Sequence, residues 1–233
     1  MSVYGKVMVL FALFQSLSIN TANAAEGAHQ PAITQFSQQI ETDPQNSTAY
    51  YNRGNAYYDQ RRYNEAVSDY STYLKLNPNP DNAFDVYYNR GNAYSALGIK
   101  RQALADYTKA IDVGSTNPAV YTNRANILSS LGNHKQAIQD YNRAIKLSSN
   151  MAEMYYNRGT EYLELGNVRQ GVVDFSRAVE INPKYAQAYR NRGNAYGTLG
   201  NRNMQIQDYK RSARNGDREA QSFLRGNGIY WWD

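Results

Sequence analysis

The chain has 233 residues, of which 25 are Lys or Arg and 20 are Asp or Glu, giving a formal net charge of +5. A charge this small does not by itself indicate nucleic-acid binding, and we expect no nucleic-acid partner. Cysteine is absent, which excludes a disulfide framework, thiol catalysis and a cysteine-linked lipid anchor.

The first 24 residues resemble a secretory signal peptide. Lys6 is the only charged residue before the apolar run VMVLFALF at 7–14, and the small residues ANA follow at 22–24. The apolar run is too short to cross a bilayer, which takes about 20 apolar residues in a helix. We therefore predict cleavage near Ala24 and a protein exported to the periplasm or the medium.

A phrase that begins with tyrosine recurs along the rest of the chain. Its leading residues lie 37, 34, 34 and 34 residues apart, at Tyr50, Tyr87, Tyr121, Tyr155 and Tyr189. The three extra residues of the first step belong to the proline-rich connection at 77–85. A fixed period of this length is typical of an array in which each unit buries its apolar face against its neighbours.

Each repeated unit is predicted to be a helical hairpin. In the first unit, Tyr50, Gly54 and Tyr57 share one face of a helix, and Ala66 and Tyr70 share one face of the next helix. The residues between the two helices form a turn, which the later units mark with glycine.

The spacing of Tyr50, Gly54 and Tyr57, followed by Ala66, Tyr70 and Pro78, resembles the tetratricopeptide repeat. The resemblance implies an all-α, right-handed α-solenoid, with a half repeat at 25–46, about five helical hairpins, and a capping helix with an aromatic tail at 220–233. The hairpins are placed at 47–80, 84–117, 118–151, 152–185 and 186–219. It also implies a concave groove, lined by the first helices, that binds proteins or peptides without catalysis. Gly171 and Gln205 depart from the pattern, because the family has a small alanine at this place in the second helix.

Arginine stands where the family usually has leucine, three residues after each leading tyrosine. A lone charge on this core face would be costly, and an aspartate follows 16 residues after each arginine. We predict five structural ion pairs, within a hairpin or between neighbours: Arg53 with Asp69, Arg90 with Asp106, Arg124 with Asp140, Arg158 with Asp174, and Arg192 with Asp208. The alternative is that the arginines reach an anionic ligand in the groove.

Asparagines occupy the helical face opposite the core, two and five residues after each leading tyrosine. They are Asn52, Asn55, Asn89, Asn92, Asn123, Asn126, Asn157, Asn191 and Asn194, with Thr160 as the exception. Asparagine is unfavourable inside a helix. One interpretation is a ladder of donors and acceptors that binds the backbone of an extended peptide, with Tyr51, Tyr88 and Tyr156 supplying apolar contact. The other is that the asparagines bond to one another across adjacent helices, or have no use.

One version of the family's groove binds an acidic C-terminal peptide, through a lysine one residue past the leading position and asparagines further on. Here the asparagines match, but the lysine position holds Tyr51, Tyr88, Thr122 and Tyr156, with Arg190 in the last unit. The sequence therefore argues against this kind of carboxylate recognition.

Two further features, the basic turns and the aromatic tail, have two interpretations each. A third, the pair of histidines, indicates no functional site. The turns carry basic residues, which are either solvated or form a strip that weakly contacts acidic lipid headgroups or an acidic partner: Arg61, Arg62, Lys100, Arg101, Lys135, Arg169 and Arg202. The tail with Trp231 and Trp232 is either a cap on the array or an exposed anchor. His29 and His134 have no carboxylate or thiol cluster near them in sequence, so we expect no metal site and no cofactor.

The predicted function is that of a noncatalytic scaffold of the cell envelope, binding a protein or peptide in its groove. No nucleophile motif or glycine-rich phosphate loop suggests an enzyme. The alternative is a scaffold for polysaccharide export or synthesis, because aromatic faces beside amide side chains also suit sugars. The sequence does not indicate an oligomeric state.

Overall fold

The computed structural model describes residues 30–78 and 83–232. The predicted signal peptide and His29 lie outside the described residues. The chain forms two compact units, Met1–Val113 and Gly114–Asp233. All regular secondary structure in the described residues is α-helical, which confirms the predicted fold class. None of the described helices is long and apolar enough to cross a membrane.

The first unit contains five helices in its described part. They are α1 (30–42), α2 (Ser47–Asp59), α3 (Tyr63–Leu76), α4 (Phe84–Ala96) and α5 (Lys100–Asp112). Helices α2 and α3 form the first hairpin, α4 and α5 form the second, and α3 also packs against α4. Helix α1 stands in the place of a second helix, because its Ser37 accepts a hydrogen bond from Arg53 as Ser71 does from Arg90.

The second unit contains three hairpins and a final helix in its described part. They are α6 (Pro118–Ser130) with α7 (His134–Leu147), α8 (Ala152–Glu164) with α9 (Val168–Ile181), α10 (Ala186–Thr198) with α11 (Arg202–Arg214), and α12 (Arg218–Gly226). Within this unit each second helix packs against the first helix of the next hairpin, and α11 packs against α12. The buried Leu224 of α12 joins Tyr209 and Ala213 of α11, so α12 caps the last hairpin as predicted.

The hairpin turns require a left-handed backbone conformation at one position. Glycine adopts it in four hairpins, with φ of 73° at Gly98, 77° at Gly132, 74° at Gly166 and 76° at Gly200. The first hairpin has Arg61 there, with φ of 59°. A residue with a Cβ is disfavoured in this conformation by roughly 1–2 kcal/mol, so this turn is the strained one.

Each hairpin is closed by an aromatic ring on its second helix, packed against a small residue on the first. A Cβ added to Gly54, Gly91 or Gly159 would lie 2.8, 2.8 or 2.9 Å from the ring of Tyr70, Tyr107 or Phe175. The third hairpin has Ala125 at this position, and it is fully buried. Glycine recurs at this position because the two helices lie too close together for a larger side chain.

The two departures from the repeat pattern are compensated on the facing helix. A Cβ on Gly171 would lie 2.8 Å from Cδ2 of Leu163, and a Cβ on Gly197 would lie 2.5 Å from Nε2 of Gln205. At the same two places the third hairpin has Ser129 and Ala137. A larger residue on one helix thus faces a glycine on the other, and both hairpins close.

Candidate functional site

All five arginines on the core face bind the aspartate of their own hairpin in a two-point contact. Their Nε atoms lie 2.7–2.8 Å from Oδ2 and their Nη2 atoms 2.6–2.8 Å from Oδ1. The aspartates are only 1–6% exposed. Such planar, charge-assisted pairs are the strong class of hydrogen bond. Each one joins the two helices of a hairpin.

In four of the hairpins, the first among them through Ser37 of α1, the remaining Nη1 group of the arginine donates to a side chain of the preceding helix. Arg90 donates to Oγ of Ser71 at 3.0 Å, and Arg192 donates to Oγ of Ser176 at 3.0 Å. Burial alone would lower the pKa of Arg192, but the hydrogen bonds and charge of Asp208 outweigh it and raise that pKa. These guanidinium groups are therefore charged and engaged inside the array, which supports the structural interpretation over binding of an anionic ligand.

The asparagines five residues after the leading tyrosine hold the buried tyrosine hydroxyls. Tyr70 donates to Oδ1 of Asn55 at 2.7 Å, and Tyr107 donates to Oδ1 of Asn92 at 2.8 Å. Tyr141 bonds to Asn126 at 2.5 Å, and Tyr209 bonds to Asn194. A buried hydroxyl without an acceptor would be costly, so these four asparagines have a structural role that sequence reasoning missed.

The exception in the asparagine pattern has the same explanation. The fourth hairpin carries Thr160 where the others carry asparagine, and its buried aromatic residue is Phe175 where the others have tyrosine. Phenylalanine has no hydroxyl and needs no acceptor. The signal was present in the sequence, since the fourth repeat is the one that lacks both the asparagine and the tyrosine at these two positions.

The asparagines two residues after the leading tyrosine connect neighbouring hairpins. Nδ2 of Asn89 donates to Oδ1 of Asn55 at 3.1 Å and to the hydroxyl of Tyr51 at 3.2 Å. In the second unit, Asn157 donates to Asn126 at 3.4 Å and Asn191 to the Tyr156 hydroxyl at 3.1 Å. The interpretation of bonds between asparagines on adjacent helices therefore holds at two places. Asn123 has the same position in α6, and Asn52 has it in α2.

The tyrosines that flank the asparagines are packed rather than fully solvated. The ring centroid of Tyr51 lies 6.1 Å from that of Tyr70, and that of Tyr88 lies 6.1 Å from that of Tyr107. Tyr156 contacts both Phe175 and Tyr185, at 5.8 and 4.9 Å between centroids. Burial, aided by nearby Tyr156 and Glu153, raises the pKa of Tyr185 to about 12.

The network leaves amide groups unused on the surface of the first helices. Oδ1 of Asn55 accepts two hydrogen bonds, but its Nδ2 has no acceptor among the described residues, and the Oδ1 of Asn89 has no donor there. These two side chains, with Tyr58, Asp59 and Tyr70, line an open cavity of about 330 Å³ in the first unit. Asn126 and Asn157 repeat the arrangement in the second unit. The paired donor and acceptor match the C=O and N–H of a peptide backbone.

Arg190, the one basic residue at the position where the family's carboxylate groove has lysine, is engaged within its own unit. It contacts Asp217 of the turn before α12 at 3.5 Å, and it also contacts Glu219 of α12. Its side chain is 19% exposed.

His134 has a partner that sequence reasoning missed. Its Nδ1 lies 2.7 Å from Oε2 of Glu161, which is 3% exposed and accepts a hydrogen bond from Ser129 at 2.7 Å. The three residues join the third hairpin to the fourth. Glu161 lies 27 residues after His134 and 32 after Ser129, and no local motif marks such a contact. No group of three or more His, Cys, Asp or Glu side chains suited to a metal ion occurs in the described parts of the chain.

The basic turns and the aromatic tail divide into engaged and exposed residues. Arg62 pairs with Glu65, and Arg202 bonds to Gln205 and Asn227. The remaining turn residues that sequence analysis singled out are exposed: Arg61, Lys100, Arg101, Lys135 and Arg169. In the tail, Trp231 packs against the cluster of α11 and α12, whereas the Trp232 side chain is 64% exposed.

Two family models match the chain. The model described as tetratricopeptide repeat matches 47–80 and 84–117, and the model described as TPR repeat matches 125–166 and 159–200. A 54-residue segment is 37% identical to the tetratricopeptide repeat and J domain-containing co-chaperone DNJ1 of Cryptococcus neoformans var. grubii. That segment is 23% of this chain and 10% of the co-chaperone, so the chain spans a small part of that relative.

Solved structures share the fold at low sequence identity. YrrB, described as a TPR protein with an unusual peptide-binding site, has a TM-score of 0.73 and 22% identity over 82% of this chain and 97% of its own. A structure of MamA has a TM-score of 0.67 and 22% identity over 72% of this chain and 96% of its own. MamA from Desulfovibrio magneticus RS-1 has a TM-score of 0.67 and 15% identity, over 72% and 94%.

Proposed function

We propose that this chain, which belongs to the tetratricopeptide repeat family, is a noncatalytic scaffold that binds an extended segment of another protein along the first helices of its hairpins. The observation that carries the proposal is the unused amide pair of Asn55 and Asn89, with its counterpart at Asn126 and Asn157. YrrB, which has the same fold, is described as having a peptide-binding site.

The amide pairs suit a backbone ligand because their own oxygens and nitrogens are already ordered. Asn55 is held by Tyr70 and Asn89, so binding a peptide does not require either amide to be immobilised at that moment. Backbone groups are the same in every extended peptide. The asparagines therefore supply affinity that is independent of sequence, and the surrounding side chains supply selectivity.

The proposal includes export to the cell envelope, on the basis of the pattern in the first 24 residues. Expression of the full chain in its native cell, followed by fractionation and intact-mass measurement, tests it. We expect a periplasmic or secreted form that begins near Ala25. A protein that keeps residues 1–24 and stays in the cytoplasm would contradict this part of the proposal alone.

The groove is tested by crosslinking capture from an envelope extract, read by mass spectrometry. The groove variant changes Asn52, Asn89, Asn123, Asn157 and Asn191 to Ala. It spares Asn55, Asn92, Asn126 and Asn194, because these hold buried tyrosine hydroxyls. The control variant changes the exposed turn residues Lys100, Arg101, Lys135 and Arg169 to Ser.

We expect a protein captured by the wild type and the turn variant to be lost from the groove variant. The groove variant should stay folded, although its melting temperature should fall because bonds between neighbouring hairpins are removed. Equal capture by all three forms would refute the groove as the binding surface. Loss in the turn variant alone would move the site to the basic edge. Capture of glycan alone would favour the polysaccharide scaffold that the amide and aromatic side chains also suit.

A further inference from the structure

We propose that the segment after α12, together with the exposed face of that helix, docks the protein on a bilayer surface that carries anionic headgroups. This tail segment comprises residues 227–232. The inference goes beyond the proposed function, because the tail segment packs on the last two helices and contains none of the asparagines of the proposed groove. It holds the scaffold at a membrane while the groove stays open to its protein ligand.

The tail segment has a fixed direction. The chain leaves α12 through Gly228, whose φ is 68°. The N–H of Ile229 donates to the carbonyl of Leu224 at 2.9 Å, and this bond belongs to the Schellman motif that closes a helix at its C-terminus. Ile229 and Trp231 pack against the cluster that contains the buried Leu224. Nε of Arg214 in α11 also donates to the Trp231 carbonyl at 2.5 Å, so the segment is held on the protein at two places.

The same arrangement turns two aromatic rings toward solvent. Tyr230 is 58% exposed and Trp232 is 64% exposed, the largest fractions among the exposed large apolar side chains of the described residues. Their ring centroids lie 5.1 Å apart, and that of Trp232 lies 4.6 Å from that of Trp231. Tryptophan and tyrosine are enriched at the boundary between hydrocarbon and water, because each has an apolar ring and one polar hydrogen-bonding group. The two rings form one exposed patch with the chemistry of that boundary.

Two arginines of α12 extend this patch with positive charge. Arg218 and Arg225 are both exposed and stand seven residues apart, so they share one face of the helix. Cζ of Arg225 lies 5.9 Å from the Trp231 ring centroid, which joins the basic face to the aromatic patch. Neither arginine takes part in an ion pair with a described residue, and Glu219, the acidic neighbour of Arg218, contacts Arg190. Both charges are therefore available to an anionic surface.

The second unit as a whole has an excess of positive charge. Its sequence contains 16 basic and 10 acidic residues, an excess of six positive charges. In its described part, seven acidic side chains lie within ion-pair distance of a basic side chain of the same unit: Asp140, Glu161, Asp174, Glu180, Asp208, Asp217 and Glu219. An acidic protein surface would satisfy the two arginines alone. A bilayer with anionic headgroups satisfies the arginines and the rings together.

The test uses the protein's own tryptophans as the reporter. Both tryptophans of the sequence, Trp231 and Trp232, lie in the tail segment, so tryptophan emission reports this segment and no other part of the chain. The full chain is mixed with vesicles of phosphatidylcholine alone, or of equal parts phosphatidylcholine and phosphatidylglycerol. We expect the mixed vesicles to shift the emission to shorter wavelength and to shield it from acrylamide, because the exposed rings leave water. Binding through the apolar run at 7–14 would leave the emission unchanged.

Two double variants test the role of the arginines. The α12 variant carries Arg218→Gln and Arg225→Gln, and the matched turn variant carries Lys135→Gln and Arg169→Gln, which removes two exposed charges of the same unit. A basic residue at an anionic surface changes binding about fivefold. We therefore expect the α12 variant to need roughly 25-fold more lipid for half-saturation, and the turn variant to differ from the wild type by less than about twofold, because distant charges are screened.

A third variant tests the role of the rings. Trp232→Ser removes the most exposed ring and keeps Trp231 as the reporter. We expect about tenfold weaker binding to the mixed vesicles, because less apolar surface leaves water. The melting temperature should not change, since most of the Trp232 side chain makes no contact with the protein.

Unchanged tryptophan emission with the mixed vesicles would overturn the proposal. Equal weakening by the α12 and turn variants would show general charge attraction and would also overturn it, as would equal binding by Trp232→Ser and the wild type. Loss of a captured protein in Trp232→Ser, without a response of the wild type to either vesicle, would assign the tail segment to a protein contact and overturn the membrane docking. Each of these results leaves the proposed groove standing, because the groove is tested by other residues.

Discussion

The first hairpin and the fifth are built on the same internal contacts and differ on the surface of the proposed groove. Arg53 with Asp69 and Arg192 with Asp208 have Nε–Oδ2 distances of 2.7 Å, and in both hairpins a buried tyrosine donates to an asparagine. Yet Tyr51 is replaced by Arg190 and Asp59 by Thr198. Residues that are the same in both hairpins maintain the hairpin structure. Residues that differ between them are candidates for selecting a ligand.

Removal of the aspartate from the ion pair that both hairpins share should have the largest effect on stability. Asp69→Ala and Asp208→Ala each leave a largely buried guanidinium without its counter-ion, which typically costs about 3–5 kcal/mol. We expect both variants to lose thermal and urea stability to a similar extent. Glu65→Ala is the matched control on α3, because its pair with Arg62 is about half exposed and is worth about 0–1 kcal/mol. A stable Asp69→Ala protein would contradict the structural role of the pair.

The buried tyrosines of the two hairpins should ionise at different pH values in an alkaline titration. Burial raises the pKa of Tyr70, and its charged neighbours Asp59 and Asp69 raise it further, whereas Arg190 and Arg202 oppose the rise at Tyr209. Both tyrosines are neutral in the folded state above the pH near 10 at which an unfolded tyrosine ionises. Their stabilising effect is therefore complete below about pH 10 and is lost as the pH rises further.

We expect Tyr209 to ionise at a lower pH than Tyr70. The measurement is ultraviolet difference absorbance during titration of wild type, Tyr70→Phe and Tyr209→Phe, with circular dichroism to follow unfolding. Tyr70 ionising first would show that the anionic field assigned to the first hairpin is wrong.

The hydrogen bond between the buried tyrosine and asparagine can be tested against the one hairpin that lacks it. Tyr70→Phe should cost about 1 kcal/mol, the net value of a typical hydrogen bond. In the fourth hairpin, Phe175→Tyr should destabilise, and Thr160→Asn added to it should recover part of the loss. The comparison of single and double variants by urea unfolding gives the coupling energy. Additive changes in the free energy of unfolding would mean that the side chains at positions 160 and 175 do not interact.

The smallest effect on stability is expected at the turn between the two helices of the first hairpin. Arg61 has φ of 59° where the other four hairpins have glycine. Arg61→Gly relieves this conformation but adds freedom to the unfolded chain, so we expect a gain of about 0.5–1 kcal/mol. The control is Arg62→Gly, which lies next to it, has φ of −85° and should destabilise. A loss of stability in Arg61→Gly would indicate that the arginine side chain contributes more than the backbone strain costs.

The sequence by itself determined the periodic features of this protein. The spacing of tyrosine, glycine and alanine predicted helical hairpins, and the interval of 16 residues between arginine and aspartate predicted the pairs that form in all five hairpins. These features were readable because a helix places residues at fixed angles and each repeat tests the same pattern again. Whether the proposed groove binds a peptide stays a prediction.

Only the tertiary structure decided which hydrogen bonds each asparagine makes. Asn55 and Asn89 look alike in sequence, but one accepts from the buried Tyr70 and the other bonds to the preceding hairpin. It also decided that Gln205 packs over Gly197, and that His134 meets Glu161. These contacts join different helices, and the interval between two residues along the sequence does not show which of their side-chain atoms meet. They depend on the distance and rotation between packed helices, which the angular periodicity of a single helix does not contain.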